Sequence, residues 1–261
     1  MNQLNRFAAA IALAFTATGS HAAAPAPSPS PSPSPSSIKN VVLVHGFFAD
    51  GSGWRGVADI LARDGYQVAI VQEPQTSLAD DVSATTRAID AMDGKVILVG
   101  HSYGGVVITQ AGVDPKVAGL VYVAAFAPDA GESLLTLAKK TPPASDGIKA
   151  TSDGHLYFNQ AQFHADFAAD LPAADAAFMA RSQVMPAVQT ASTPVTQAAW
   201  RTKPSWAIVS TADRTVNPDL ERTMAARAGS HVVAIDGSHA TFIVHPAEVA
   251  KVIEQAAAAS H

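Results

Sequence analysis

Ser102 stands in Gly100-His101-Ser102-Tyr103-Gly104, directly after the apolar run 96–99 and directly before Val106-Val107-Ile108-Thr109. Strand, sharp turn and helix in that order expose a serine as a nucleophile. The flanking glycines remove Cβ atoms that would collide with strand and helix, and the serine is forced into a strained turn. Its hydroxyl then stands at the top of a sheet, with the first amide of the following helix facing the same space. A hydroxyl is a poor nucleophile until a base takes its proton and a third group orients that base. The pentapeptide therefore asks for a histidine and an acid elsewhere in the chain.

Two later loops supply them. Asp213, in Ser210-Thr211-Ala212-Asp213-Arg214, follows the run 206–210, and His239, in Asp236-Gly237-Ser238-His239-Ala240, follows the run 231–235. Asp213 alone also reads as a turn former ahead of Asn217-Pro218, and Asp129 and Glu132, after the run 117–124, are alternative acids. His231, which opens a run, and His245, which precedes Pro246, are rival histidines; His239 is favoured because it alone follows a run with glycine beside it. Attack on an acyl carbon places negative charge on the carbonyl oxygen, which two preorganised backbone N–H groups can stabilise. The amides of Tyr103, just past the nucleophile, and of Phe47, in His45-Gly46-Phe47 after the run 38–44, are the candidates. His45 and His101 read as histidines that hold their loops by hydrogen bonds.

The elements that must carry these loops are legible in the periodicity. Six runs rich in β-branched residues, 38–44, 66–71, 96–99, 117–124, 206–210 and 231–235, read as buried strands. Amphipathic stretches lie between most of them, among them 54–63 and 78–92, where Val82, Ile89 and Met92 share a face; a last helix begins at Pro246 with Val249, Val252 and Ile253 facing inward. Such alternation means a parallel sheet with right-handed crossovers and helices on both faces. It breaks once, over about 129–203, where Phe158, Phe163, Phe167, Leu171, Phe178 and Met185 are spread among Ala, Asp and Gln. That stretch is too long for a plain loop and reads as a helical cap over the strand ends. Its aromatics, with Phe47 and Phe48, are the expected lining of an acyl pocket.

The N-terminus reads as a secretory signal over 1–24, with Arg6, an apolar stretch 7–15 and small residues at Ser20-His21-Ala22, followed by a Pro/Ser-rich linker over 25–37. The signal points to export, periplasmic or secreted; the linker reads as an extended tether with no fold of its own. The apolar stretch is short of the roughly 20 residues that span a bilayer, so no membrane insertion is expected. Residues 38–261 suit one domain. Arg6 is the only charged side chain before residue 38, so that domain carries 16 basic against 22 acidic residues. The negative balance argues against nucleic acid as a partner. The chain has no cysteine, which excludes thiol nucleophiles, disulfides and cysteine metal sites; no metal or phosphate-binding motif is present, and no cofactor is expected. Nothing in the sequence specifies an oligomeric state.

Taken together, His45-Gly46-Phe47-Phe48-Ala49-Asp50-Gly51-Ser52-Gly53-Trp54, the elbow with Gly105, Tyr122-Val123-Ala124-Ala125-Phe126-Ala127-Pro128 and Gly237-Ser238-His239 resemble the α/β-hydrolase superfamily, nearest to its small esterase and hydroxynitrile-lyase-like branch. The resemblance covers essentially all of 38–258. It implies the α/β-hydrolase fold, a cofactor-free Ser-His-Asp triad in the chain order seen here, each member on the loop after a strand, and a helical cap over the acyl pocket. Dehalogenases and epoxide hydrolases of the superfamily carry aspartate where this chain has Ser102. The hydroxynitrile lyases place lysine after the catalytic histidine, where this chain has Ala240. The resulting expectation is an exported serine hydrolase acting on small neutral carboxylic esters. Perhydrolase or haloperoxidase-type activity uses the same triad with peroxide in place of water. The reading from another class is a non-catalytic binder of a small apolar ligand, against which the intact triad counts.

Overall fold

β-branched side chains pack well on a pleated surface, and the runs that carry them pair as anticipated. The computed structural model describes residues 38–260; the expected signal segment and the Pro/Ser-rich linker lie outside the described residues. Its strands are β1 (Asn40–Val44), β2 (Gln67–Val71), β3 (Val96–His101), β4 (Val117–Val123), β5 (Ile148–Ala150), β6 (Leu156–Phe158), β7 (Ser205–Ser210) and β8 (His231–Ile235). Six of them form one parallel sheet in the order β2-β1-β3-β4-β7-β8. Every residue of β1, β3, β4 and β7 is buried, whereas the edge strands β2 and β8 are largely open to solvent.

Alternate residues of one strand face opposite sides of a sheet, and the core divides accordingly. Val42, Val44 and Leu98 join one cluster, and Val41, Leu43, Ile97 and Val99 the other. Helices α1 (Arg55–Arg63) and α10 (Pro246–Ala259) cover the second face; α2 (Leu78–Asp90), α3 (Gly104–Ala111) and α8 (Pro218–Ala228) cover the first. Each fully buried Val, Leu or Ile contributes about 1.5–3 kcal/mol, so the two layers hold the strand ends rigidly. The chain runs from β1 outward to β2 and returns to β3 on the other side, and the crevice at such a reversal is where open α/β sheets bind ligands.

Between β4 and β7 lies the cap, with α4 (Leu134–Lys140), α5 (Gln160–Phe167), α6 (Ala173–Ser182) and α7 (Val188–Ser192). It is not purely helical. β5 and β6 form an antiparallel hairpin that three-residue strands, with exposed Ile148 and Ala150 around Lys149, do not announce in the sequence. A four-residue helix, α9 (Thr241–Val244), follows the β8 loop.

Candidate active site

Ser102 adopts φ +53°, a left-handed backbone that residues other than glycine rarely occupy. The turn is held from β4, where the Val123 carbonyl accepts the Ser102 N–H at 3.2 Å and the Ser102 carbonyl accepts the Phe126 N–H at 3.1 Å. Glycine is obligatory beside it, since a Cβ at Gly100 would lie 2.5 Å from the Gly104 carbonyl oxygen.

The β7 and β8 loops bring their side chains to this turn. His239 Nε2 lies 2.9 Å from Ser102 Oγ, and His239 Nδ1 lies 2.6 Å from Asp213 Oδ2. The other Asp213 oxygen accepts the N–H groups of Thr215 (2.7 Å) and Val216 (2.8 Å). Asp213 and His239 side chains have no solvent exposure, and Ser102 keeps 6%. His101 supports the arrangement from below. Its Nε2–H donates to the His239 carbonyl at 2.9 Å, and burial, reinforced by the neighbouring His239, holds its pKa well below the usual histidine value. From the cap, Asp170 accepts the Ser238 N–H at 2.8 Å and so pins the His239 loop.

The rival residues are engaged elsewhere. Asp129 pairs with Arg201, and Glu132 bridges Lys140 and Arg227, each at 2.8 Å. His231 stacks on Trp206, and His245 pairs with Glu248 at 3.1 Å.

The expected oxyanion amides belong to two loops that touch. A Cβ at Gly46 would lie 2.6 Å from Ser102 Cβ, so the His45 loop runs directly against the serine. Neither the Phe47 nor the Tyr103 N–H has an acceptor among the described residues, and the two rings stack with centroids 4.0 Å apart. Behind the loop lies a buried polar cluster that the sequence reading missed. Asp81 accepts the Gln75 N–H and the Tyr103 hydroxyl, each at 2.8 Å. Burial raises the Asp81 pKa to about 6 against the effect of these bonds. Burial, with Asp81 nearby, drives Glu73 well above the usual carboxylate range; neither of its oxygens has a hydrogen-bond partner within 3.5 Å among the described residues, and His45 Nδ1 lies 3.7 Å from Oε2. The Glu73 N–H donates to His45 Nε2 at 3.1 Å, which leaves Nδ1 as the protonated nitrogen. Burial lowers the His45 pKa and keeps it neutral.

A cavity of about 200 Å³ opens on Ser102. Phe47 and Phe48 line it as expected, together with Phe126 and Val216. The cap contributes Leu134, Leu135, Ile148 and Leu156 rather than the aromatics anticipated from the sequence. Phe158, Phe163 and Phe167 are fully buried and packed on one another, with Phe163 and Phe167 stacked at 4.6 Å and Phe158 edge-on to Phe48 behind the cavity wall. Phe167 sets its edge against His239 at 4.8 Å, so it supports the histidine instead of lining the pocket. Phe178 and Met185 are turned outward, 64% and 52% exposed. A helix as rich in alanine as α6 has no strong apolar stripe to signal which face turns inward. The signal for Leu134 and Leu135 was a capping box, Ser133 with Thr136, that starts their helix. Among the described residues, no three His, Asp or Glu side chains converge on a metal site, and no helix is long and apolar enough to cross a membrane.

This fold and this constellation define an α/β hydrolase. The chain belongs to the alpha/beta hydrolase family, whose model matches residues 41–252. A carbendazim hydrolyzing esterase from Nocardioides sp. (strain SG-4G) is 36% identical over 118 residues, which span 40% of this chain and about half (49%) of that relative. The alpha/beta hydrolase nvfD of Aspergillus novofumigatus is 27% identical over 241 residues, 83% of this chain and 96% of that one. Among solved structures, a pyrethroid hydrolase from Sphingobium faniae JZ-2 superposes with a TM-score of 0.74 at 21% identity, covering 85% of this chain and 98% of its own. That last likeness concerns the fold.

Proposed function

We propose that the chain is an exported serine hydrolase that cleaves small neutral carboxylic esters through an acyl-enzyme. One observation carries the reading: an unbroken line of hydrogen bonds from Asp213 through His239 to Ser102, ending at an apolar cavity beside two unengaged amides. In this scheme Ser102 Oγ attacks the ester carbonyl carbon while its proton passes to His239 Nε2. The carbonyl oxygen becomes an oxyanion facing the Phe47 and Tyr103 N–H groups. Collapse expels the alcohol, which leaves with the proton from His239. A water molecule, deprotonated in turn by His239, attacks the acyl-enzyme and releases the acid. Asp213 keeps the proton of His239 on Nδ1 and stabilises the imidazolium that forms.

The apolar lining favours neutral acyl groups, because an unpaired carboxylate would be desolvated there. Relatives named as an esterase and as hydrolases agree with this chemistry. Export to the periplasm or beyond rests on the N-terminal pattern of Arg6, apolar stretch and small residues.

A fluorophosphonate probe tests the reading. The expected result is one label per chain on the Ser102 peptide. Ser102→Ala should take no label and lose about 10⁴-fold or more in kcat on p-nitrophenyl esters with its fold intact. An unlabelled wild type, or near-normal turnover in the variant, would overturn it.

A further inference from the structure

The C=O and N–H of a trans peptide point in opposite directions, so the Phe47 amide can serve an oxyanion only if the Gly46 carbonyl is held away from Ser102. Two donors hold it. Gln75 Nε2 donates to the Gly46 oxygen at 2.9 Å, and His45 Nδ1, the protonated nitrogen of that ring, lies 2.9 Å from the same oxygen. We propose that Gln75 is a positioning residue for the oxyanion hole: by fixing the Gly46 carbonyl on the buried side, it aims the Phe47 N–H at the reacting oxygen. The inference rests on the serine hydrolase reading above.

Gln75 is itself constrained more than packing requires. It adopts φ +55°, a conformation that a γ-unbranched, non-glycine residue keeps only where its surroundings over-determine it. Its N–H is held by Asp81 at 2.8 Å, and its carbonyl accepts the Ala187 N–H at 2.9 Å and the Thr190 hydroxyl at 3.3 Å. Next to it, Gln189 donates to the Thr76 carbonyl at 2.8 Å. Gln75 thus stands between the α7 region of the cap and the oxyanion loop. Its Oε1 is buried with no partner among the described residues, an arrangement that an apolar side chain of equal size would avoid. What an apolar side chain would not supply is the N–H donated to Gly46.

The test compares wild type with Gln75→Asn and Gln75→Met. Asparagine tolerates a left-handed φ and keeps the amide, but is one methylene too short to reach Gly46. Methionine keeps the length and cannot donate. Active sites are counted by fluorophosphonate titration, and kcat, KM and the Ki of a trifluoromethyl ketone are measured per titrated site. The ketone adds to Ser102 to form a tetrahedral oxyanion and so reports the hole directly. The expected result for either variant is a kcat lower by roughly 10- to 100-fold, less than the about 100- to 1000-fold for deleting a donor outright. KM should stay within about threefold, and Ki should weaken in step with kcat/KM, as for an interaction made only in the transition state. Wild-type kcat in both variants, or fewer titratable sites with unchanged Ki per site, would overturn the role of Gln75. If asparagine prevents folding, the methionine variant decides alone. A wild type that takes no fluorophosphonate would instead overturn the hydrolase reading itself.

Discussion

His239 and Asp213 meet at 2.6 Å with both side chains shut off from solvent, and the far oxygen of Asp213 is tied to two backbone amides. The carboxylate is therefore oriented from two sides by N–H donors. An amide at this position keeps its oxygen on the Thr215 and Val216 N–H groups only by turning its NH₂ toward His239, where it is satisfied only if Nδ1 gives up its proton. Asp213→Asn should lower kcat by about 10⁴-fold through the wrong histidine tautomer. Asp129→Asn, which removes only an ion pair to Arg201, should stay within a few-fold. Steady-state kinetics on one activated ester checks both, and a dead Asp129 variant would reassign the acid.

Acyl-chain preference should follow the cavity. A buried methylene contributes about 0.8 kcal/mol, or about fourfold in kcat/KM per added carbon. Activity on p-nitrophenyl esters should climb from acetate until the cap wall at Leu134 and Leu135 stops it. Leu135→Trp should move the optimum to shorter chains, and a carboxylate-bearing ester should be a poor substrate. A flat chain-length profile would refute an apolar acyl site.

The strained elbow makes a stability prediction separate from activity. Alanine at 102 keeps a Cβ at φ +53°, whereas glycine does not. Ser102→Gly should be more stable than Ser102→Ala by about 1 kcal/mol, which for a domain of this size is about 2–4 °C in Tm. Identical melting curves would show that the turn stores no strain.

Glu73 predicts the sign of a pH effect. Its carboxyl is raised well above the ordinary value in the folded chain and titrates near 4.3 when unfolded. Above that pH the folded state holds the extra proton, so this group's contribution to stability is complete below about 4.3 and is lost as pH rises toward the raised value. Glutamine has no such loss. Glu73→Gln should match wild type near pH 4 and melt several degrees higher at pH 8. A constant difference across that range would contradict the buried, protonated carboxyl.

Much of this was open to inspection in the chain itself. The parallel sheet was legible because strands buried on both faces are continuous β-branched runs. The elbow was legible because its glycines answer to backbone contacts a few residues away. Asp213 and His239 were legible because each directly follows one of those runs. Residues Leu134, Ile148 and Leu156 were not, because which cap side chains face Ser102 depends on how a seven-residue helix and a hairpin of two three-residue strands settle on the sheet. Phe178 and Met185 look like pocket residues in one dimension and lie at the surface in three. Gln75 shows the same division most clearly. Its position after β2 could be read, but its contact with the Gly46 carbonyl, 29 residues earlier in the chain, exists only once β1 and β2 pair in register and the cap closes on the loop. Local pattern determined which elements form and where Ser102, Asp213 and His239 sit on them. Tertiary packing decided which other side chains reach the site, because long-range contacts leave no periodic trace in the sequence.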